Sequence, residues 1–383
     1  MSNDTINTSA EVYQGKEETD FAYPLPRHVY TILGMALSTT FSIGFVMNLT
    51  VILCFFKFKN LRSVTNTFIL SLAINDFLMS AMGTPLAMTS NYAGRWLWGK
   101  IGCTYEGFMV YFLGLSQMYN LAAISMDRYF VIAKPLLAPK ITHRVAILAS
   151  TCCWLGGLFW TILPVLGWNR YAQDVHGTSC TVVLVDPSDP GVASYNTVIF
   201  FTCLLIPLGF IMYGYYGVFM TLRSVTRSGV WDLNSRVARK NLKIEKKMAK
   251  TIAIMLGVYL GSWTPYTVVH FWAAFGDASS IPTIASALSA ITAKSSAIWN
   301  PMVYFGTNKM FRIAFYKLLP CSGLAKSLVE REERQQEESD DDDDKTKAGD
   351  NKVTTVAPAP SAATNNAMTI PEESVTEVTQ INK

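Results

Sequence analysis

The chain has 383 residues, of which half are hydrophobic and only 16% are charged. Soluble globular proteins have about 25% charged residues, so this composition argues against a soluble enzyme and favours a membrane protein. The formal net charge is only +4, and the basic residues lie beside apolar segments instead of forming one stripe, which argues against a nucleic-acid partner. The four histidines are scattered, and no metal-ligand or nucleophile pattern suggests an enzyme.

Residues 1–28 are polar and acidic, without the apolar core of a cleaved signal peptide, and we expect an extracellular tail. Asn3 and Asn7 each begin an Asn-X-Ser/Thr tripeptide and are predicted glycosylation sites. Lys and Arg residues cluster after the first apolar stretch, between the third and fourth, and before the sixth. Because cytoplasmic loops carry this excess, the N-terminus is predicted to lie outside.

Residues 29–307 contain the apolar stretches of a predicted seven-helix bundle, an all-α membrane protein. A helix needs about 20 apolar residues to cross a bilayer core of about 30 Å, with every backbone group paired inside the segment. The stretches are residues 29–56, 63–94, 101–126, 145–168, 192–222, 251–275 and 281–307.

Two cysteines are predicted to lie on the oxidising, outer side of the membrane. Cys103 begins the third stretch and Cys180 lies in the loop between the fourth and fifth. We therefore expect a disulfide that holds this loop across the bundle.

Polar side chains occur at membrane depth, where an ionisable group costs at least about 2.5 kcal/mol. Asp76, Asn48 and Asn300 are interpreted as one polar network, and Pro301 frees a backbone carbonyl that it can satisfy. The alternative is that these side chains only tie helices together.

Lys294 is the most demanding of the buried polar residues because its own helix has no acid to neutralise it. A buried ammonium must pair, lose its proton or be converted covalently. Glu106 in the third stretch is the natural partner. A simple salt bridge and a ligand-bearing lysine both remain open.

Residues 308–321 predict a short amphipathic helix along the membrane surface, followed by Cys321, a candidate for palmitoylation. Residues 322–383 are predicted to be a disordered acidic cytoplasmic tail with serines and threonines such as Ser339 and Thr346.

Several short motifs occur in order along the apolar stretches. Asp127-Arg128-Tyr129 ends the third stretch, Trp263 and Pro265 lie in the sixth, and the run from Asn300 and Pro301 to Tyr304 closes the seventh. With the other features above, this order resembles the rhodopsin class of G-protein-coupled receptors. Lys294, six residues before Asn300, resembles the retinal attachment site of opsins.

This resemblance implies a light-sensing receptor with covalent retinal, 11-cis in the dark and all-trans after light, joined to Lys294 as a Schiff base. Glu106 and Asp174 match the counterion positions of opsins, and Glu106 is favoured because it lies within the span. The resemblance places five residues around retinal: Tyr111, Gly114, Tyr259, Trp263 and Tyr266.

On the cytoplasmic side, the resemblance implies that Arg128 forms a charge lock with Asp127 and Glu245, whose opening admits a heterotrimeric G protein. The Asn308-Lys309-Met310 triplet resembles ciliary-type opsins and favours an inhibitory-type G protein. Receptor kinase and arrestin are expected to act on the tail. The expected location is the plasma membrane, with the photoreceptor cilium as a candidate site.

Two other functions compete with this one. The first is a rhodopsin-class receptor for a diffusible ligand, in which Lys294 is incidental. The second, more distant, is a transporter or proton pump that uses Asp76, Glu106 and Lys294 as a relay, although a pump would not need Asp127-Arg128-Tyr129.

Overall fold

The structure is a computed structural model that describes residues 24–228, 236–319 and 323–334, with side chains between 225 and 241 excluded. The predicted glycosylation sites Asn3 and Asn7, the palmitoylation candidate Cys321 and the tail positions Ser339 and Thr346 lie outside the described residues. The chain divides into two compact units, Met1–Val329 and Glu330–Lys383, and the candidate ligand-binding site lies entirely within the first.

Seven long helices follow one another in the described part of the chain, which confirms the predicted all-α membrane fold. They are α1 (Arg27–Lys57), α2 (Val64–Ala93), α3 (Gly99–Ala133), α4 (His143–Ile162), α5 (Pro190–Ser224), α6 (Arg236–Phe275) and α7 (Thr283–Thr307). Short π-helical segments interrupt α2 at Met79–Gly83 and α5 at Phe200–Leu205. A further short helix, α8, spans Lys309–Tyr316.

Helices α1 to α6 are long and apolar enough to cross a membrane. Helix α7 has 25 residues but carries more polar side chains, among them Ser286, Ser289, Lys294, Ser296 and Asn300, which are all buried in the bundle. This polarity is expected for a helix that lines an interior site, because polar residues in membrane helices face the interior.

The bundle places polar side chains inside and many large apolar ones outside. Asp76 and Glu106 are completely buried, whereas Phe56, Leu148 and Phe210 are more than half exposed. A soluble helix bundle shows the opposite arrangement. The exposed apolar surface is therefore suited to lipid.

A β-hairpin lies in the loop between α4 and α5. Its strands, β1 (Tyr171–Gln173) and β2 (Cys180–Val182), are antiparallel, and Gln173 lies opposite Cys180. Gly177 in the connecting turn has φ of +71°, a conformation in which glycine has no steric penalty. The hairpin covers one end of the helices that carry the site.

The segment after α7 differs in one respect from the expectation. Helix α8 lies within the predicted range and is capped by Asn308, whose side chain accepts the N–H of Met310 at 3.0 Å. The predicted disorder from residue 322 is wrong for its first part, since residues 323–329 and 330–334 are helical. This part is rich in Leu, Ala, Lys, Glu and Arg, which favour helix.

Candidate ligand-binding site

Lys294 of α7 pairs with Glu106 of α3 inside the bundle. Its Nζ lies 3.1 Å from Oε1 of Glu106, and the two side chains are 5% and 0% exposed. Oε2 of Glu106 accepts the backbone N–H of Cys180 at 2.7 Å. The pair therefore has both an opposite charge and an additional hydrogen bond, which a buried ion pair requires.

The β-hairpin is fixed over this pair by contacts to several helices. A disulfide joins Cys103 at the start of α3 to Cys180 in β2. The hydroxyl groups of Thr181 in β2 and Tyr266 in α6 lie 2.7 Å apart, and the Tyr30 hydroxyl of α1 donates to a hairpin carbonyl at 2.8 Å. The hairpin thus covers the interior and is bonded to α1, α3 and α6.

Asp174, the second candidate counterion, contacts other groups. Ser286 of α7 donates to its Oδ1 at 2.8 Å, and Nδ1 of His176 lies 3.5 Å from its Oδ2. Burial raises the pKa of Asp174, but the histidines His176 and His270 and the Ser286 hydrogen bond outweigh it, so the net pKa is below its ordinary value. Its carboxylate is stabilised by the hairpin and α7, whereas Glu106 contacts Lys294 directly.

A cavity of about 420 Å³ lies between α3, α5 and α6 below the hairpin, and its wall is mostly apolar. Its lining includes the five residues that the resemblance places around a ligand: Tyr111, Gly114, Tyr259, Trp263 and Tyr266. Lys294 lines a different and much smaller cavity. The large cavity can accept an elongated apolar molecule, while the amine lies to one side of it.

Gly114 and Trp263 pack against each other at the bottom of this cavity. A Cβ atom at position 114 would lie 2.5 Å from the Trp263 ring, closer than side-chain contacts allow. The Trp263 ring N–H donates to Ser296 of α7 at 3.1 Å. Trp263 therefore connects the cavity wall to α7, and any larger residue at position 114 would displace it.

Asp76 is the centre of the polar network deeper in the bundle. Gln117 of α3 and Asn300 of α7 each donate to one of its carboxylate oxygens at 2.7 Å. The amide of Asn48 donates to the carbonyl of Ala297 at 2.8 Å. Pro301, four residues later, has no N–H to donate to that carbonyl, so the Asn48 amide takes its place and ties α7 to α1.

The end of the bundle opposite the β-hairpin holds a compact charge cluster. Arg128 of α3 lies 2.6 Å from Asp127 and 2.6 Å from Glu245 of α6, and it also hydrogen-bonds to Thr65 of α2. Arg128 is 2% exposed. The cluster joins α2, α3 and α6 at this end.

Tyr129 of the Asp127-Arg128-Tyr129 motif and Tyr304 at the end of the Asn300 to Tyr304 run contact different helices. The hydroxyl of Tyr129 lies 3.3 Å from that of Tyr213 in α5. Tyr304 stacks on Phe311 of α8 with ring centroids 5.6 Å apart, so it connects α7 to the surface helix.

Comparison with protein-family models matches residues 47–304 to the 7 transmembrane receptor (rhodopsin family). The chain belongs to this family. The receptor is 33% identical over 326 residues to Melanopsin-A of Danio rerio, covering 82% of this chain and 55% of that protein. It is 32% identical over 280 residues to the human visual pigment-like receptor peropsin, covering 73% and 81% respectively. The chain thus spans about half the length of the melanopsin it matches.

The crystal structure of squid rhodopsin has the same fold. It superposes with a TM-score of 0.72 at 30% sequence identity, covering 77% of this chain and 87% of that one. The relatives are opsins by name, and this agrees with the resemblance to opsins in the sequence motifs.

Four polar residues of the site are missed by sequence reasoning: Thr181, His176, His270 and Ser286. A signal exists for Ser286, since it precedes Lys294 by about two helical turns and so faces the same region. Thr181 and His176 lie within four residues of Cys180, so the predicted disulfide already brings them to the site. His270 follows Tyr266 by one helical turn and stacks on it with ring centroids 3.6 Å apart.

Proposed function

We propose that the receptor senses light through retinal held covalently by Lys294 and activates a heterotrimeric G protein of the inhibitory type. The observation that carries this proposal is the Lys294–Glu106 pair, a buried amine with a carboxylate 3.1 Å away in a chain related to opsins. An amine of this kind can form a covalent bond with a carbonyl. Ordinary packing does not require a lysine at this depth.

The lining of the large cavity fits retinal. The aromatic cavity beneath the hairpin suits an apolar polyene, and Lys294 would hold the aldehyde end. Retinal would supply light absorption and, on isomerising from 11-cis to all-trans, a change of shape. Glu106 would balance the positive charge at Lys294, and Trp263 would pack against the polyene.

Contacts of Trp263 suggest how a change in the cavity reaches the cytoplasm. Trp263 touches Gly114 of α3 and donates to Ser296 of α7, and it lies two residues before Pro265, which weakens α6 locally. A displaced Trp263 would therefore favour a different α6 position. Movement of α6 separates Glu245 from Arg128 and opens a cleft for the G protein.

The remaining parts of the proposal concern the surroundings of the receptor. It would lie in the plasma membrane with its N-terminus outside, and the cilium of a photoreceptor cell is the candidate site. Receptor kinase and arrestin would end signalling by acting on serines and threonines of the acidic tail, where phosphate adds charge.

One observation favours a second candidate, a receptor for a diffusible apolar ligand. Lys294 does not line the large cavity, so a ligand could occupy that cavity without touching the lysine. In this case the Lys294–Glu106 pair would only tie α7 to α3.

The test is to add 11-cis-retinal to the purified receptor and to Lys294→Ala, with Lys100→Ala at the start of α3 as the control. We expect a light-sensitive absorption band in the receptor and the control, and none in Lys294→Ala. Light-dependent nucleotide exchange is then measured on purified G proteins of each class. A band that survives in Lys294→Ala would overturn covalent attachment, and exchange on another class alone would overturn the inhibitory assignment.

A further inference from the structure

A groove of about 430 Å³ lies on the outside of the bundle, where the first turns of α3 meet the end of α4. Its lining consists of five residues of α3 and one of α4, namely Lys100, Ile101, Thr104, Tyr105, Phe108 and Ile162. The spacing of the five α3 residues places them on one face of the helix. The buried residues Cys103, Glu106 and Gly107 lie on the other face. The groove therefore opens away from the ligand cavity and towards the membrane.

The groove runs from the membrane surface into the apolar core. Helix α3 has 35 residues and is about 52 Å long at about 1.5 Å per residue, so its ends extend beyond a bilayer core of about 30 Å. Lys100, the second residue of α3, is therefore at the height of the lipid headgroups. Phe108 lies about 12 Å further along the helix. The lining thus changes from polar to apolar with depth, as a lipid molecule does.

Three polar groups of the groove make no hydrogen bond or ion pair within the described chain. They are the Lys100 ammonium and the hydroxyls of Thr104 and Tyr105. Exposed threonines of other helices differ, since Thr39 and Thr151 donate to the carbonyl four residues earlier at 3.0 and 2.9 Å. Such a bond satisfies a hydroxyl that faces hydrocarbon, which offers no partner. The groove therefore presents three donors that lack an acceptor.

The charge of the groove is positive and is not balanced by the lining residues. None of them is an Asp or a Glu. Glu106, the nearest acid along the chain, has its carboxylate bonded to Lys294 and to the Cys180 N–H instead. A phosphate accepts several hydrogen bonds, and a charged donor makes them stronger. A sterol hydroxyl has no charge, and a headgroup with an amine would bring a second cation beside Lys100.

We propose that this groove binds an anionic phospholipid whose headgroup has no amine, such as a phosphatidylglycerol. The phosphate accepts hydrogen bonds from Lys100, Thr104 and Tyr105, and one acyl chain lies against Phe108 and Ile162. The second chain remains in the surrounding bilayer. Because the groove is separate from the ligand cavity, lipid binding does not depend on retinal, and loss of the Lys100 side chain leaves retinal attachment intact.

The site is tested by native mass spectrometry of the full-length, retinal-free receptor, which is delipidated in detergent and titrated with dioleoyl phosphatidylglycerol. Lys100→Met removes the charge and keeps an apolar stem. The matched control is Arg95→Met, because Arg95 is an exposed cation just before α3 and outside the groove. Loss of a charge-assisted hydrogen bond should weaken the tightest binding step about tenfold in Lys100→Met, with little change in the control. Equal weakening in both variants would overturn the site, because net charge alone would then explain binding.

The chemistry of the lipid is tested on the same preparation with dioleoyl phosphatidylcholine, dioleoylglycerol and cholesterol. We expect phosphatidylglycerol to bind most tightly. Thr104→Val and Tyr105→Phe, which remove only hydroxyls, should weaken its binding without changing that of dioleoylglycerol. If dioleoylglycerol or cholesterol binds as tightly, the groove does not recognise a phosphate, and equal binding of phosphatidylcholine would overturn the preference for an amine-free headgroup.

The position of the acyl chain is tested by filling the deep part of the groove. Ile162→Trp adds a bulky ring where the chain would lie, whereas Ile147→Trp adds the same ring at an exposed position of α4 outside the groove. We expect weaker binding of phosphatidylglycerol in Ile162→Trp alone. Unchanged binding in Ile162→Trp would place the lipid elsewhere on the receptor and overturn the proposal.

Discussion

Glu106→Gln is the change that most directly tests the buried charge pair. The substitution removes the negative charge 3.1 Å from Lys294 Nζ but keeps an amide oxygen that can accept the Cys180 N–H. The volume is almost unchanged, so no cavity forms. The expected loss of stability therefore comes from the uncompensated ammonium.

The size of this loss follows from the distance between the charges. Two unit charges 3.1 Å apart attract by about 5 kcal/mol at an effective dielectric constant of about 20. Removal of one member of a buried pair costs about 3–5 kcal/mol. We expect Glu106→Gln and Lys294→Met each to lower the free energy of unfolding, and the double variant to lose less than Glu106→Gln alone.

The assay is a double-mutant cycle on the retinal-free receptor, with reversible unfolding in mixed micelles. The expected coupling free energy between the two positions is about 3 kcal/mol. A matched control is the loop pair of Arg170 and Asp186, 2.5 Å apart, with side chains 43% and 9% exposed, so that one partner is open to solvent. This control should give at most about 1 kcal/mol.

Two outcomes would refute this reasoning. A coupling no larger than that of the Arg170 control would mean that burial does not strengthen the Lys294–Glu106 contact. A double variant less stable than both single variants would mean that the two side chains stabilise the bundle independently.

Three further predictions concern other parts of the receptor. Arg128→Ala should raise nucleotide exchange in the dark by releasing α6 while leaving the absorption band unchanged, and unchanged exchange would argue against the charge lock. With retinal bound, the visible band should be lost as pH rises and the Schiff base deprotonates. This loss should occur at a lower pH in Glu106→Gln than in Asp174→Asn, because Glu106 contacts Lys294 directly. The opposite order would make Asp174 the main counterion. The Ser188 and Arg170 hydrogen bonds lower the pKa of Asp186 from 3.8 to about 2. The ionised carboxylate therefore stabilises the fold above pH 4, and this stabilisation is lost as the pH falls towards 2. In Asp186→Asn, acid unfolding curves should lack this decrease in stability.

The local features of the receptor are predictable from sequence because their physical causes are local. Length and hydropathy determine which segments form helices, since a membrane-spanning chain must satisfy its backbone within each segment. The predicted partners Cys103 and Cys180 depend only on which side of the membrane each loop occupies. Residues 323–329 and residues 330–334 are an exception, because helix-favouring side chains form helix there although the composition of the tail predicts disorder.

The partners of buried polar groups depend on how the helices are rotated and packed. A helix that is apolar all round has no strong periodicity to indicate which face turns inward. Two carboxylates, Glu106 and Asp174, are both compatible with Lys294 in the sequence. Only the tertiary structure places Glu106 against the amine and gives Asp174 to Ser286 and His176.

The sequence by itself determined the seven-helix class, the loop that the Cys103 and Cys180 pair holds across the bundle, and the presence of a buried lysine that needs a partner. The tertiary structure decided which atoms meet: Asn48 on the carbonyl freed by Pro301, and Asn91 and His176 beside Lys294. The physical reason is distance along the chain. These contacts join residues far apart in sequence, whose approach is set by the summed packing of all the helices and not by any local propensity.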